Sequence, residues 1–415
     1  WLAGTAPIWF PVALVLAAWN TWVSYVRSLY ISGRNPILLE VKMPREVEKS
    51  PRAMELALAN FSLSSGEGTF LHRVWGGHVR PYFSFEIASF GGEVHFYIWT
   101  WKNYKDLVES SLYAQYPKVE IIEVEDYATK FEFDPDKHSA FATEWALNTN
   151  LGISHTDMRI NAYQPLSHVD FELNKDPKEE FKIDPIGTVL EFMSSIKPNE
   201  QVWAQIVIRK SGKQYVLGFF HQDSQDSVWR KTIEKEVNKL RGESSLIPHS
   251  EQSKILKDYG EGDDKDLFIG SSWRQKQMME GMERHLGKTP FEVGMRGIYW
   301  TDGSLRSPVY TGLRYLWRAY GNANFGSELS AESWHNDFDW PWQDYNDIRY
   351  ISQTRRALDA YRRRSFFASP WVLPTNVLTN ETIASLWHPP SSSIAAPGLL
   401  RNSASKSEPP QNLPK

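Results

Sequence analysis

Phe83-Ser84-Phe85-Glu86-Ile87-Ala88-Ser89-Phe90-Gly91-Gly92-Glu93-Val94-His95-Phe96-Tyr97-Ile98-Trp99 is the stretch whose reading decides the fold. Phe83, Phe85 and Ile87 alternate, Gly91-Gly92 turns the chain, and Val94, Phe96 and Ile98 alternate again. A period of two on both sides of a Gly-Gly pair marks a β-hairpin. Upstream, Leu39, Val41 and Met43 alternate with Leu38, Glu40 and Lys42, as in a half-buried strand. Ser50-Pro51 then opens a helix whose inner face carries Met54, Ala57, Leu58 and Phe61. Downstream, Asn103 caps a second helix with Tyr104, Leu107, Val108 and Leu112 inward, and Val119 to Val124 closes the unit as a strand. The order over 37–127 is β-α-β-β-α-β, the split βαβ arrangement of ferredoxin-like domains.

The same order is expected again over 155–330. A strand-like region runs from Met158 to Phe171, and Asp184-Pro185 starts a helix bearing Ile186, Val189, Leu190 and Met193. Val202, Ala204, Ile206 and Ile208 alternate as a strand, and Phe291, Val293 and Met295 lead another that runs to Thr301. Ser307-Pro308 opens a helix with Val309, Leu313, Leu316, Trp317 and Tyr320 inward, and Phe325, Ser327 and Leu329 form the last strand. Between the middle strands lies a charged insertion at about 211–290, with a helix from Val228 to Leu240 and a polar stretch from Gly242 to Asp266. The expected fold class is α+β: an N-terminal transmembrane helix, then two tandem ferredoxin-like units, the second interrupted by a long helical insertion. The expected segments are 1–30 (transmembrane helix and flank), 31–150 (first unit), 151–330 (second unit), 331–390 (aromatic-rich, irregular or helical) and 391–415 (a Pro/Ser-rich linker tail).

No charged residue precedes Arg27. Pro11 to Ala18 forms an apolar centre, with Trp9, Trp19, Trp22 and Tyr25 toward the ends. About 20 largely apolar residues cross the hydrocarbon, and Trp and Tyr favour its interfaces. A signal peptide calls for a basic leader and a small-residue cleavage site, and neither is visible. Arg27, Arg34, Lys42, Arg45, Lys49 and Arg52 follow the helix, so the positive-inside rule places the bulk of the chain in the cytoplasm, single-pass in the inner membrane. With no cysteine at all, disulfides and thiolate chemistry are excluded, in keeping with a reducing compartment. A net charge of −4 gives no global field toward nucleic acid, so any such contact needs a local basic patch. Trp1 is not an initiator methionine, which predicts processing or a longer reading frame.

Motifs that carry chemistry are scarce. Gly287-Lys288-Thr289 resembles the end of a phosphate-binding loop, but the required earlier glycine position holds Met282. Gly287 also follows a helix instead of a strand, and reads as a helix C-cap. No His-Glu-x-x-His and no Gly-x-Ser-x-Gly occurs. His72 and His78 fall in a loop, and Glu120, Glu123, Glu125 and Asp126 read as a solvated strand edge. Catalytic residues, cofactors and metals are therefore not expected. The one charge cluster is Arg349, Arg355, Arg356, Arg362, Arg363 and Arg364, with Tyr350 and Tyr361 interleaved. It suits phosphates of DNA or of anionic lipid; the bland alternative is a solvated helix face paired with Asp337, Asp339, Asp344 and Asp347.

Several stretches carry a resemblance together: Leu38-Leu39-Glu40-Val41-Lys42-Met43-Pro44-Arg45-Glu46-Val47, the hairpin above, Tyr113-Ala114-Gln115-Tyr116-Pro117, Val124-Glu125-Asp126-Tyr127, Asp170-Phe171-Glu172-Leu173, Phe181-Lys182-Ile183-Asp184-Pro185, Ala384-Ser385-Leu386-Trp387-His388-Pro389, and Glu408-Pro409-Pro410-Gln411-Asn412-Leu413-Pro414. The chain resembles an uncharacterised family of membrane-anchored domains from little-cultured bacteria. In many members this region lies upstream of a motor ATPase similar to those of conjugation and type IV secretion. No Walker A motif occurs here, and the linker-like end matches the place where the motor would begin. The resemblance implies a non-catalytic accessory or assembly role at the bilayer, with a motor ATPase in cis or trans as partner, and homo-oligomerisation and DNA contact as further expectations. The alternatives are a membrane-surface scaffold with no motor, or an enzyme whose pocket is assembled from scattered polar groups.

Overall fold

In a computed structural model, the chain is described for residues 2–44, 49–64, 66–148, 154–155, 158–172, 184–216, 220–245, 272–322, 325–332, 342–391, 394, 397–399 and 401–402. It begins with helix α1 (Leu2–Ser32) and runs directly into β1 (Pro36–Pro44). There follow α2 (Arg52–Ala59), α3 (Phe70–Val74), the hairpin β2 (Tyr82–Phe90) and β3 (Glu93–Trp101), α4 (Lys105–Gln115), β4 (Glu120–Val124) and α5 (Tyr127–Lys130). Next come β5 (His138–Leu147), the two-residue strands β6 (Ser154–His155) and β7 (Met158–Arg159), α6 (His168–Glu172), α7 (Ile186–Ser194) and β8 (Glu200–Lys210). The insertion contains the small hairpin β9 (Gln214–Val216) and β10 (Phe220–Gln222), α8 (Gln225–Ser245) and α9 (Trp273–Leu286). The chain closes with β11 (Pro290–Asp302), α10 (Ser307–Arg314), β12 (Leu329–Glu332), α11 (Ile348–Arg362), β13 (Thr375–Thr379), α12 (Asn380–Leu386) and β14 (Arg401–Asn402).

The protein is α+β, with an N-terminal apolar helix and a mostly antiparallel sheet. Its central strands lie in the order β4-β1-β3-β2-β8-β11-β5-β12, every neighbouring pair antiparallel. Phe85 stands opposite Ile98 on one side and Ile206 on the other, so the apolar residues of the hairpin and of β8 emerge on one face. That face packs under α2, α4, α7, α10 and α12 as the main core. At the Gly91-Gly92 turn both residues adopt positive φ, which glycine alone takes without strain. Gly91 sits against the backbone of Pro198, and Gly92 against the carbonyl of Ser194.

Over residues 37–127 the expected strands and helices are present with shifted ends, but α3 (with His72) stands where a loop was expected, and Tyr104, not Asn103, precedes the first turn of α4. The second half differs. Residues 158–171 supply only the short β7 and then α6, and the strand that pairs with β11 on the side away from β8, over Met295–Asp302, is β5, within the segment assigned to the first unit. The apolar pattern of Phe141, Trp145 and Leu147 on β5 is weakened by alanines at 140, 142 and 146, which hid its period. Within residues 342–390, α11, β13 and α12 are packed, and every residue of α12 is buried. Part of the supposed tail is packed too, since Leu399 joins the core and Arg401 and Asn402 pair in parallel with β1. Most of the polar stretch 242–266 and the tail from 403 lie outside the described residues.

The second face of the sheet is also covered. Tyr97, Trp99, Trp101, Trp203 and Trp300 form an aromatic layer beneath α5, α11 and the loop after α11. Among them the sheet carries Glu86, Glu144, Gln205, Glu292 and Arg296, all buried. The insertion helices α8 and α9 form a smaller core of their own around Trp229, Ile233 and Met282 with Ile160 and Val377.

Candidate functional site

The arginine segment is the only sequence-derived candidate, and the structure divides its six members. They lie on or just beyond α11, whose first turn is capped by Asp344: its carboxylate accepts from the Arg349 and Tyr350 backbone N–H groups. Arg349, Arg355, Arg356 and Arg363 are exposed. Arg349 donates to the Gln343 carbonyl, Arg356 stacks on Trp371 at 4.9 Å, and Arg363 pairs with Asp359 at 2.8 Å. Arg362 turns back under the helix and donates to the carbonyls of Ala128 and Phe131. Arg364 is fully buried. Of the four acids expected as partners, Asp337 and Asp339 lie outside the described residues, and Asp344 serves as a cap.

Arg364 is instead the centre of an ionic cluster between the sheet and its roof. Its Nε lies 2.8 Å from Glu86 Oε1 and its Nη2 3.0 Å from Glu86 Oε2, with Asp126 closing the other side. Ser84, Gln205 and Tyr127 complete the shell around Glu86. Burial works against ionisation of Glu86, but Arg364 outweighs it and holds the carboxyl below its usual range. Two further buried pairs stand on the same face: Arg296 with Glu144 at 3.1 Å, and Glu292 held between Arg209 and Arg80. Each charge has its partner within the body, an arrangement that locks the roof in register and leaves these groups committed to one another.

A second polar network joins the insertion to α2, α6 and α12. Glu381, on α12, accepts from Ser167 at 2.6 Å and meets Arg284 at 3.2 Å and Lys288 at 3.0 Å. Lys288 also reaches Glu55 at 2.6 Å, and Arg284 reaches Asp170 at 2.8 Å. His285 bonds Thr379 at 2.9 Å. Burial is the strongest influence on its imidazole and lowers it to about 4, against the opposing pull of Glu381. The Gly287-Lys288-Thr289 tripeptide thus sits here, with Gly287 as the C-cap of α9 and Lys288 neutralising two carboxylates. Sequence reasoning missed this network because its members come from four distant segments and share no spacing.

The remaining candidates have local partners. His72 and His78 stack on each other at 5.1 Å, and His78 stacks on Tyr30 of α1. Glu123 pairs with Lys105, Glu125 with Lys130, and Asp126 with Arg364. Among the described residues no group of three or more His, Asp or Glu is placed to hold a metal ion.

α1 is long and apolar enough to cross a membrane. Phe10, Val12, Leu14, Val15 and Leu16 are exposed along it, while Val23 and Val26 are buried against the body. Trp22 Nε1 donates to the Val74 carbonyl at 3.2 Å, and Ser369 Oγ donates to Ser24 Oγ at 3.1 Å. No protein-family model matches the chain, and no characterised protein matches it either.

Proposed function

We propose that the protein is a non-catalytic, membrane-anchored accessory component of a translocation machine similar to those of conjugation and type IV secretion. The observation that carries this reading is α1 itself. One unbroken helix passes from an exposed apolar stretch into a docked stretch, so the anchor and the body are a single mechanical piece. The ionisable clusters favour a structural role, because their charges are spent on one another. The resemblance to domains that precede motor ATPases supplies the partner, in cis or in trans, and the positive-inside rule supplies the side: cytoplasmic, single-pass, at the inner membrane.

The finer architecture belongs to the same reading. The sheet order divides as β4-β1-β3-β2 and β12-β5-β11-β8, two βαββαβ units of ferredoxin-like order joined through β2 and β8. Such a joint leaves β4 and β12 at opposite ends, where further copies would pack in a ring. Arg355, Arg356 and Arg363 remain exposed for contact with phosphates of a translocated strand or of lipid. The test is purification in mild detergent, alone and with the ATPase encoded in frame or next to it. The reading predicts a stable complex or a ring. A protein monomeric in both samples, yet membrane-bound, would favour the scaffold without a motor.

A further inference from the structure

The short helix α3 and the residue that ends it carry an exposed apolar pair, Leu71 at 61% and Trp75 at 57% exposure. Trp75 packs edge-on against Trp22 of α1, ring centroids 5.3 Å apart, and Trp22 in turn lies 6.4 Å from Tyr25. Leu29 continues the strip one turn further along α1, at 53% exposure. Leu71, Trp75, Trp22, Tyr25 and Leu29 therefore form one apolar and aromatic surface, contributed by two elements and continuous with the apolar span of α1.

The level of this surface relative to a bilayer follows from where α1 meets the body. Its side chains are exposed from Trp9 through Leu16 and again at Trp22, and Val23 is the first to be buried against the body, so the hydrocarbon must end before Val23. Trp22 then falls at the membrane–water boundary, where Trp and Tyr rings are favoured because their apolar bodies and polar tips find matching surroundings. α1 cannot swing away from the body at this point. Val23 and Val26 are buried, and Gly77, at positive φ, approaches the Val26 carbonyl so closely that a Cβ would collide with it. The body thus holds Leu71 and Trp75 beside Trp22, at the same depth.

We infer that α3 is a membrane seat: Leu71 and Trp75 insert into the interfacial zone of the bilayer beside α1, so that the body rests against the lipid surface instead of hanging from a tether. The inference rests on α1 crossing the membrane. Its partner is the lipid interface itself, recognised by aromatic and aliphatic burial and not by charge.

The absence of native cysteine makes the test clean. Single cysteines are introduced in the full chain at Leu71→Cys, Trp75→Cys and Leu14→Cys, with Leu56→Cys and Tyr315→Cys as exposed reference sites on α2 and after α10. Each is spin-labelled in phosphatidylcholine nanodiscs, and collision rates with oxygen and with a water-soluble nickel chelate are compared. Leu71→Cys leaves the Trp22–Trp75 contact intact and guards against a loss of folding at position 75; circular dichroism checks each variant. The expected oxygen-to-nickel ratio at 71 and 75 lies several-fold above that at 56 and 315 and below that at 14. Aqueous ratios at 71 and 75 with a lipid ratio at 14 overturn the seat and leave the anchor standing. An aqueous ratio at 14 overturns both.

Discussion

The guanidinium of Arg364 and the carboxylate of Glu86 face each other in two parallel hydrogen bonds, both side chains sealed from solvent and 278 residues apart in sequence. The pair ties the segment that ends α11 to the centre of the sheet. Removing one partner leaves an uncompensated buried charge, so Arg364→Met is expected to destabilise the fold by about 3–5 kcal/mol. Arg364→Lys loses the forked geometry and recovers only part of this. The double variant Arg364→Met with Glu86→Gln restores much of the loss. Denaturant unfolding of the three variants checks the pattern.

The exposed arginines behave differently. Arg363 and Asp359 form a surface pair one helical turn apart, and such pairs contribute about 0.3–0.5 kcal/mol. Replacing Arg355, Arg356 and Arg363 together by alanine is expected to change stability by about 1 kcal/mol or less, the stacking of Arg356 on Trp371 included. The same variant weakens binding to DNA or to anionic vesicles, with a shallower salt dependence. Unfolding and salt-titrated binding curves separate the two effects.

His285 sets a pH dependence. Unfolded, its imidazole titrates at 6.5; folded, it is held near 4. As pH falls the unfolded state takes up the proton first, so the contribution is complete above 6.5 and is lost between 6.5 and 4. The loss is on the order of 3 kcal/mol. Glu381, Asp170, Arg284 and Lys288 surround the ring, and the carboxyl of Glu381 is itself held low, so its own loss falls in the more acid range. Urea unfolding at pH values across this window should show a slope that His285→Gln flattens.

Gly77 tests the docking of α1. Its positive φ and the approach to Val26 predict that Gly77→Ala strains the joint by about 1–3 kcal/mol. In detergent, the expected result is faster proteolysis near residues 22–34 with the sheet still folded. Unchanged protection would show that the close approach is not needed.

How much of this was legible in the sequence follows the physics of each signal. The hairpin, β1 and the helices over Met54 and Val108 announce themselves through period and turn chemistry, which are local. The apolar face of β8 and the first part of β11 is equally plain. β5 escaped because alanines blur its alternation, and α12 because its polar residues are buried in a network no spacing records. The roofed second face was invisible for the same reason: Glu86, Gln205 and Arg296 look like solvent-facing residues until partners from distant segments cover them. The arginine segment read as one patch, yet Arg362, next to exposed Arg363, reaches back to the carbonyls of Ala128 and Phe131, and the chain beyond α11 drives Arg364 into the core. Charge clustering in sequence says nothing about which side of a helix each group takes.

The central claim is that α1 anchors the protein in a bilayer, and alkaline carbonate extraction of isolated membranes tests it most directly. The full chain should remain in the membrane pellet, and a variant lacking residues 2–21 should pass to the supernatant while retaining its fold. Release of the full chain by carbonate would contradict the account.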